Sequence, residues 1–478
     1  MTISGALSNA LSGLTANSRM ADVVSANIAN VLTDGYAPRD VALQSQQAGR
    51  GVSVLGITRQ VDNALLADLR LAESAFAGSE TRAKFITAIE RAVGTPGKSG
   101  GIAERLTALE ASLITAASRP EETSRLQTVI RDADALATSL NQASDRIQTL
   151  RSEADAEIAR TVENLNADLQ NIATLNKQIQ AAKINGRDSA GLKDQRQRVI
   201  DNVAQVVPIR QLLRDNDQVA LVSVGGALLL DGRAALLEFD ATRTVTTEMG
   251  QPSTPLPGIR IEGYPVRTDD TGPLASGKLA ALFENRDRVG VGAHAAVDAI
   301  ARDLIERVSN AGVDPDPLGD GTHLFTDAQT PFNPADEVGL AARIRLNETI
   351  DPATDDETYR IRDGLGAPTP GPVGNDVFLK NLSDALTTPT ALAAGSAMRS
   401  VAGHITEFSS RIANDRLSAD QQVTFANTQA SELRSLQLEN GVDTDAELQR
   451  LLLVEQAFAA NARMVRTVDE LIQTLLRI

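Results

Sequence analysis

The stretch ISGALSNALSGLTANSRMADVVSANIANV, residues 3–31, places Ile3, Leu7, Ala10, Leu14, Asn17, Ala21, Val24, Ile28 and Val31 at alternating spacings of four and three. That is a heptad seam with one polar member, Asn17, and it predicts an amphipathic helix with no globular core of its own. The other end of the chain repeats the pattern. Leu451, Val454, Phe458, Asn461, Val465, Val468, Ile472 and Leu475 keep spacings of three and four, again with a single Asn. Each end can pack on a domain of its own. An isolated helix is marginal in water, however, and so long a seam calls for a partner helix. The economical arrangement pairs the first and last segments, within one chain and with neighbouring chains.

A second helical layer lies inside these ends. Ile102, Leu106, Leu109 and Leu113 share one face. Ser118-Arg119-Pro120-Glu121 reads as a capping box with Pro in the first turn. Beyond it the helical period runs from Leu126, Val129 and Ala133 through Ile147, Leu150, Ala154 and Ile158 to Ile172, Leu175 and Ile179, and stops at Asn185-Gly186. Unbroken, this helix is about 90 Å long at 1.5 Å per residue. The alternative is a break or hairpin between Arg151 and Arg160.

Two segments change character. Val206 to Val266 is rich in Val, Leu, Gly and Thr, with turn pairs at Asp215-Asn216, Gly225-Gly226 and Asp231-Gly232 and a cluster of Pro252, Pro255 and Pro257. It reads as a small β domain of hairpins. Asp314 to Gly374 is a second Pro-, Asp- and Gly-rich stretch, with Ala342 to Leu346 as a strand candidate. Helical patterning returns at Leu279 to Val308 and from Leu379 onward. The expected fold is mainly α with inserted β: terminal helices pairing as a coiled coil, a long-helix middle domain, and one or two small β-rich central insertions. The divisions fall at 1–60 (terminal helix and turn), 61–205 (long-helix domain, first part), 206–275 (β insertion), 276–312 (helical return), 313–375 (second insertion), 376–435 (long-helix domain, last part) and 436–478 (terminal helix).

At 478 residues the chain exceeds the size at which one core stops growing, so several domains are expected. Aromatics are only 3%, with no Trp, so the cores must be built from Leu, Ile, Val and Ala. A net charge of −16 argues against a phosphate-binding surface and against docking on an anionic membrane; no nucleic acid is expected as a partner. The absence of Cys excludes disulfides, thiolate metal sites and Cys nucleophiles. Met1 to Asn17 holds no Lys or Arg and no continuous apolar core, unlike a cleaved secretory signal. The most apolar run, Val219 to Leu230, is interrupted at Ser223, Gly225 and Gly226, and is shorter than the roughly 20 residues that span a bilayer. Membrane insertion is not expected.

No catalytic constellation emerges. His294, His323 and His404 form no metal-ligand pair at helical spacing and read as surface or packing residues. Asp314-Pro315-Asp316-Pro317-Leu318-Gly319-Asp320-Gly321 has the air of a calcium loop, but Leu318 stands where an oxygen ligand is needed. Gly290-Val291-Gly292 lacks the preceding strand of a dinucleotide loop. Neither catalysis, nor a cofactor, nor a metal is expected.

The segment Ser25-Ala26-Asn27-Ile28-Ala29-Asn30-Val31-Leu32-Thr33-Asp34-Gly35-Tyr36 resembles the signature of the bacterial flagellar rod, hook and hook-associated axial proteins. Members read Asn-Ile-Ala-Asn, a short spacer, then Thr-Pro-Gly-Tyr. Here Leu32 replaces the second Asn and Asp34 the Pro, and Asp34-Gly35 keeps the turn chemistry. The end from Asn440-Gly441-Val442-Asp443 to Ile478 is similar to that of the same family, with Gln456-Ala457-Phe458, Ala462-Arg463 and Thr467-Val468-Asp469-Glu470 in the places of its motifs. In the middle, Gly191-Leu192-Lys193-Asp194-Gln195-Arg196 with Ile200-Asp201, Ser276 to Leu282 with Arg286-Asp287, and Gly312-Val313-Asp314 leading to Leu324-Phe325 resemble the hook-associated branch at the hook–filament junction. Residues 327–374 carry little of the resemblance.

The resemblance implies a structural subunit joining the distal end of the hook to the flagellin filament. It implies export through the flagellar type III apparatus without cleavage, and an extracellular place in the flagellum. Partners would be copies of the chain itself, the hook subunit, the next hook-associated protein, and an export chaperone at the C-terminal region. The hook subunit or the third hook-associated protein is the alternative within the family; a secreted enzyme or adhesin is the alternative outside it. The assembly interface would comprise Leu7, Leu14, Asn17, Val24, Asn27, Ile28, Asn30, Gly35, Tyr36, Leu451, Phe458, Asn461, Val465, Val468, Ile472 and Leu475. The terminal segments would be disordered before assembly and fold as a coiled pair against neighbours, with Asn17 and Asn461 fixing register as buried Asn does in coiled coils.

Overall fold

The computed structural model describes residues 3–33, 35–46, 51–94, 100–251, 253–350 and 357–477. Asp34 of the turn and Pro252 of the proline cluster therefore lie outside the described residues. The chain begins with α1 (Ile3–Ala29), an antiparallel hairpin of β1 (Arg39–Ser45) and β2 (Val52–Arg59), then α2 (Asn63–Val93), α3 (Ile102–Ser118), α4 (Thr123–Ile184) and α5 (Ala190–Val206). Strands β3 (Ile209–Leu213), β4 (Val219–Ser223), β5 (Leu228–Asp231) and β6 (Arg233–Ala234) form one antiparallel sheet in that order. A second sheet contains β7 (Leu237–Phe239), β8 (Ile259–Ile261) and β9 (Tyr264–Pro265). Next, α6 (Gly277–Glu284) runs through a π-helical turn at Asn285–Val289 into α7 (Gly290–Val308). Strand β10 (Phe325–Asp327), α8 (Leu340–Arg343), β11 (Ile344–Leu346) and α9 (Arg360–Asp363) follow, then α10 (Val377–Thr387), α11 (Val401–Glu439) and α12 (Thr444–Leu476). The fold is mainly helical with small β sheets in the centre, and long helices stand at both ends, as the patterning predicts.

Helix α4 decides the architecture. It is unbroken over 62 residues, about 93 Å at 1.5 Å per residue. No Gly or Pro interrupts it, so nothing in its backbone chemistry forces a kink. It does not begin at the capping box read at Ser118. Ser118 is the last residue of α3, its hydroxyl donating to the Thr115 carbonyl, and α4 opens after Glu122 without a side-chain cap. Glu122 instead binds the guanidinium groups of Arg119 and Arg125. Pairing with the flanking arginines occupies its carboxylate and leaves Pro120 in the connection.

Two hydrophobic cores share α4. Along its first half, Val129, Ala133, Leu136, Leu140, Ile147 and Ala154 pack with apolar residues of α2, α3, α7, α10 and α11. Along its second half, Ile158, Val162, Leu165, Leu169 and Ile172 pack with α5, α6 and the central sheets. Burying each such large side chain is worth about 1.5–3 kcal/mol before ordering costs. The second Pro-rich stretch contributes Phe325, Leu340, Ile344, Leu346, Ile361 and Leu365 to the first of these cores. Its strand is shorter than the Ala342–Leu346 candidate, because Ala342 and Arg343 close a helical turn whose Gly339 and Ala341 N–H groups donate to Asp298.

The boundary between the cores falls where a break in α4 was an alternative, and it is polar. Arg151 and Asp155 are fully buried there. Asp155 accepts from Arg286 Nη1 at 2.5 Å and from the Thr242 N–H at 2.7 Å. Arg286 also binds Asp287, donates to the Pro257 carbonyl and lies over the rings of Phe239 and Phe283. Arg151 donates to the carbonyls of Arg286, Thr246 and Met249. A Cβ at Gly290 would sit 2.6 Å from Arg151 Cγ, so this glycine serves helix packing inside α7 rather than a phosphate loop.

The hairpin β1–β2 lies in a segment read as helix and turn only. Its alternation, with Val41 opposite Ile57 and Leu43 opposite Val54, is short and is broken by a bulge at Leu55, beside Gly56.

Candidate assembly interface

α1 and α12 run antiparallel. Asn27 meets Glu447, and Gly13 faces Asn461, so fourteen residues in one helix match fourteen in the other. The approach at Gly13 is close, since a Cβ there would lie 2.6 Å from Asn461 Nδ2. On α1, Ala10, Ala16, Asn17, Val23, Val24 and Asn27 are buried, and Leu7, Leu14 and Ile28 are half-buried. On α12, Val454 and Val468 are buried, and Leu451, Asn461, Val465 and Ile472 are half-buried. Asn17 and Asn461 do not stand opposite each other. Asn461 is level with Gly13, one helical turn away, and Asn17 Nδ2 is buried without a hydrogen-bond partner.

Four seam residues are exposed: Ile3 and Val31 at the ends of the α1 seam, and Phe458 and Leu475 of α12. Phe458 is 45% exposed and Leu475 60% exposed. The seam positions on either side of Phe458, Val454 and Asn461, keep the contact, so the exposure at Phe458 is local to that residue. Leu475 lies beyond the start of α1 in the antiparallel register. They join Leu11, Leu448, Leu452, Met464 and Leu471 as large apolar side chains that the pair leaves exposed.

The turn after α1 is organised by Asn27, which is fully buried and uses its whole amide. Its Oδ1 accepts from the Tyr36 hydroxyl at 2.8 Å and the Arg39 N–H at 3.0 Å. Its Nδ2 donates to the Arg39 carbonyl at 2.9 Å and to Glu447 Oε1 at 3.0 Å. An amide offers two donors and two accepting lone pairs, so no other side chain of this size fits. Asn30 closes the helix, donating to the Ala26 carbonyl at 2.8 Å and accepting from Thr33. Gly35 takes a positive φ of 74° against the Arg198 side chain. Burial raises the Tyr36 phenol pKa, while the Arg39 guanidinium, 4.8 Å from its ring centre, works in the opposite direction.

From Arg39 the network passes to the middle domain. Arg39 and Arg59 stand opposite each other at the base of the hairpin. Asp194 of α5 binds both, Oδ2 to Arg39 Nη2 at 2.6 Å and Oδ1 to Arg59 Nε at 2.8 Å, and Gln197 accepts from Arg59 Nη2 at 2.9 Å. Burial lowers the Arg59 pKa, and Asp194 opposes that shift. Next to it Arg196 binds Asn176 of α4 and the Asp217 carbonyl. The Lys-Asp-Gln-Arg run thus holds the hairpin on one side and the long helix on the other. Sequence reasoning picked out this run as a resemblance but missed Arg39, Arg59, Gln197 and Glu447 as members of the site. The available signal for Glu447 was its place in the acidic first turn, where Asp443 caps α12 through the N–H groups of Asp445 and Ala446.

Among the described residues, no group of three or more His, Asp or Glu could hold a metal, and no helix is long and apolar enough to cross a membrane. His294 and His404 are buried in packing positions, and His404 Nε2 lies 2.9 Å from the Thr390 carbonyl.

Comparison with known proteins accords with this geometry. Residues 86–325 match the family model described as the flagellar hook-associated protein FlgK helical domain. Residues 439–478 match the flagellar basal body rod FlgEFG protein C-terminal family, and residues 7–36 the flagella basal body rod protein family. Flagellar hook-associated protein 1 of Salmonella typhimurium is 25% identical over 313 residues, 62% of this chain and 56% of that protein. Its counterpart in Bacillus subtilis is 27% identical over 240 residues, 47% of each chain. The structure of the flagellar hook junction protein FlgK from Burkholderia pseudomallei aligns with a TM-score of 0.45 at 22% identity, covering 54% of this chain and 46% of that one. The chain spans about half the length of the relatives it matches. With half of its residues under the helical-domain model and its two ends under the rod-protein models, the chain belongs to the FlgK family of flagellar hook-associated proteins.

Proposed function

We propose that this chain is a structural axial subunit that connects the distal end of the hook to the flagellin filament. The observation that carries the reading is the antiparallel pair of α1 and α12, closed at one end by Asn27 and Glu447 and left apolar on its outer side. Leu11, Leu448, Leu452, Phe458, Met464, Leu471 and Leu475 offer a surface that neighbouring subunits would cover, at about 1.5–3 kcal/mol for each large side chain fully buried. The neighbours would be copies of the chain, the hook subunit and the next hook-associated protein. The chain would reach its place through the type III export apparatus, without a cleaved signal, with an export chaperone on its C-terminal region. The role is one of assembly, without catalysis.

Electron microscopy of cells lacking the gene, with an assay for flagellin in the medium, tests the proposal. Hooks without filaments and flagellin lost to the medium are expected. Missing hooks would move the chain to the hook or rod class, and normal filaments would overturn the flagellar role.

A further inference from the structure

The two arginines at the base of the hairpin pose an electrostatic problem. Arg39 and Arg59 are directly opposed in the register of β1 and β2, and like charges at opposed positions destabilise a strand pair. Their side chains are only 17% and 13% exposed, so water does little to separate them. A single carboxylate resolves the conflict. Asp194, on a different element, gives one oxygen to each guanidinium, and charge-assisted bonds of this kind are roughly twice as strong as neutral ones. The base of the hairpin is thus stable where Asp194 reaches it, and repulsive where it does not.

The position of Arg39 is set in turn by the terminal helices. Both its N–H and its carbonyl are held by Asn27, and the remaining Asn27 donor is taken by Glu447 of α12. Without α12 that donor loses its carboxylate partner, and the charge-assisted bond that holds the Asn27 amide in place goes with it. Pairing of α12 with α1 therefore completes the shell that fixes Arg39 for the carboxylate.

We propose that Asp194 is a positioning residue: it clasps the hairpin to the middle domain, and the clasp closes when the terminal helices pair through Asn27 and Glu447. Pairing of the ends then sets the angle at which the terminal rod stands on the long-helix domain. The inference rests on the terminal-helix reading above and deepens it by naming what orients the pair. The deletion experiment tests what the pair does in the cell, whereas the clasp concerns how the pair is held, so either can fail alone.

The chain contains no Cys, so two introduced cysteines can be spin-labelled specifically. Leu55→Cys on the hairpin with Ile184→Cys at the end of α4 reports the angle, both sites being exposed, and Ile114→Cys with Ile184→Cys reports the integrity of the middle domain. Pulsed electron resonance on the full chain should give a narrow distance distribution for the first pair. Asp194→Ala and Asn27→Ala should each abolish the narrow peak while the second pair keeps its distance. Asp194→Asn, which keeps the shape and removes the charge, serves if the alanine variant fails that control. A narrow peak retained in the Asp194 variants overturns the clasp, as does a broad distribution in the unmodified chain. A narrow peak retained in Asn27→Ala overturns its dependence on the paired ends.

Discussion

Asn27 and Glu447 are 420 positions apart in the chain, and the amide of one donates to the carboxylate of the other in a buried contact of 3.0 Å. The bond joins the last turn of α1 to the first turn of α12. It is also asymmetric in its energetics. Asn27 is fully satisfied, whereas Glu447 Oε2 is buried without a hydrogen-bond partner.

Asn27→Ala should therefore unpair the terminal helices. It strands the Tyr36 hydroxyl, the Arg39 N–H and Glu447 together, and each buried orphan costs roughly 1–3 kcal/mol. Hydrogen exchange should show lost protection in α1 and α12 and retained protection in α3 and α4. Glu447→Gln keeps the acceptor and removes a buried charge, so it should leave protection unchanged or raised.

Incorporation into the flagellum should fail for Leu14→Asp and for Ile472→Asp, while the central cores remain folded. Each is half-buried within the seam, and a carboxylate there lacks a partner. Normal filaments on either variant, seen by electron microscopy, would count against the pair as the assembling element. Limited proteolysis of the isolated protein should cut first within α1 and α12.

The ion pair between the two cores should be costly to break and cheap to replace. Arg286→Met leaves Asp155 buried and unneutralised, at about 3–5 kcal/mol by the behaviour of other buried pairs. Arg286→Met combined with Asp155→Leu should recover most of that loss. Urea unfolding of the single and double variants checks the difference.

Acid should act on α7 in two opposite senses. Burial holds the His294 imidazole down to about 4, aided by the nearby Arg151 charge. Its contribution to stability is present above the unfolded pKa near 6.5 and is lost as pH falls toward 4. Burial pushes the Asp298 carboxyl up to about 6, against the N–H donors of Ala341 and Gly339. That contribution is present below the unfolded pKa near 3.9 and is lost as pH rises through 6. Each is worth roughly 3 kcal/mol, so the two nearly cancel between pH 4 and 6. Asp298→Asn should make stability fall on acidification across this range, and His294→Gln should make it rise, in unfolding midpoints measured from pH 7 to pH 4.

The helical ends and the long helix were legible because periodicity survives in sequence. Leu126 to Ile179 keeps one face apolar through nearly the whole of α4. The uncertainty at Arg151 to Arg160 arose because the face there turns ionic, and a buried Arg–Asp pair looks like a solvated turn until its partners from residues 242–286 are in place. The polar heart of the interface was only half legible. Asn27 and Tyr36 stand in a recognisable run, but the Arg39, Arg59 and Asp194 triplet joins residues up to 155 positions apart, with no local pattern to connect them. Phe458 keeps the heptad spacing but is 45% exposed, and spacing alone does not tell a residue that meets the partner helix of the same chain from one left for a neighbour.

One helix entering both cores has a mechanical consequence. The halves of the middle domain cannot tilt against each other without straining the hydrogen-bond ladder of α4 near Arg151 and Asp155, where Arg286 is held to the helix twice, its carbonyl accepting from Arg151 and its guanidinium donating to Asp155. Torque applied at one end of that shaft is delivered at the other with little lost to bending.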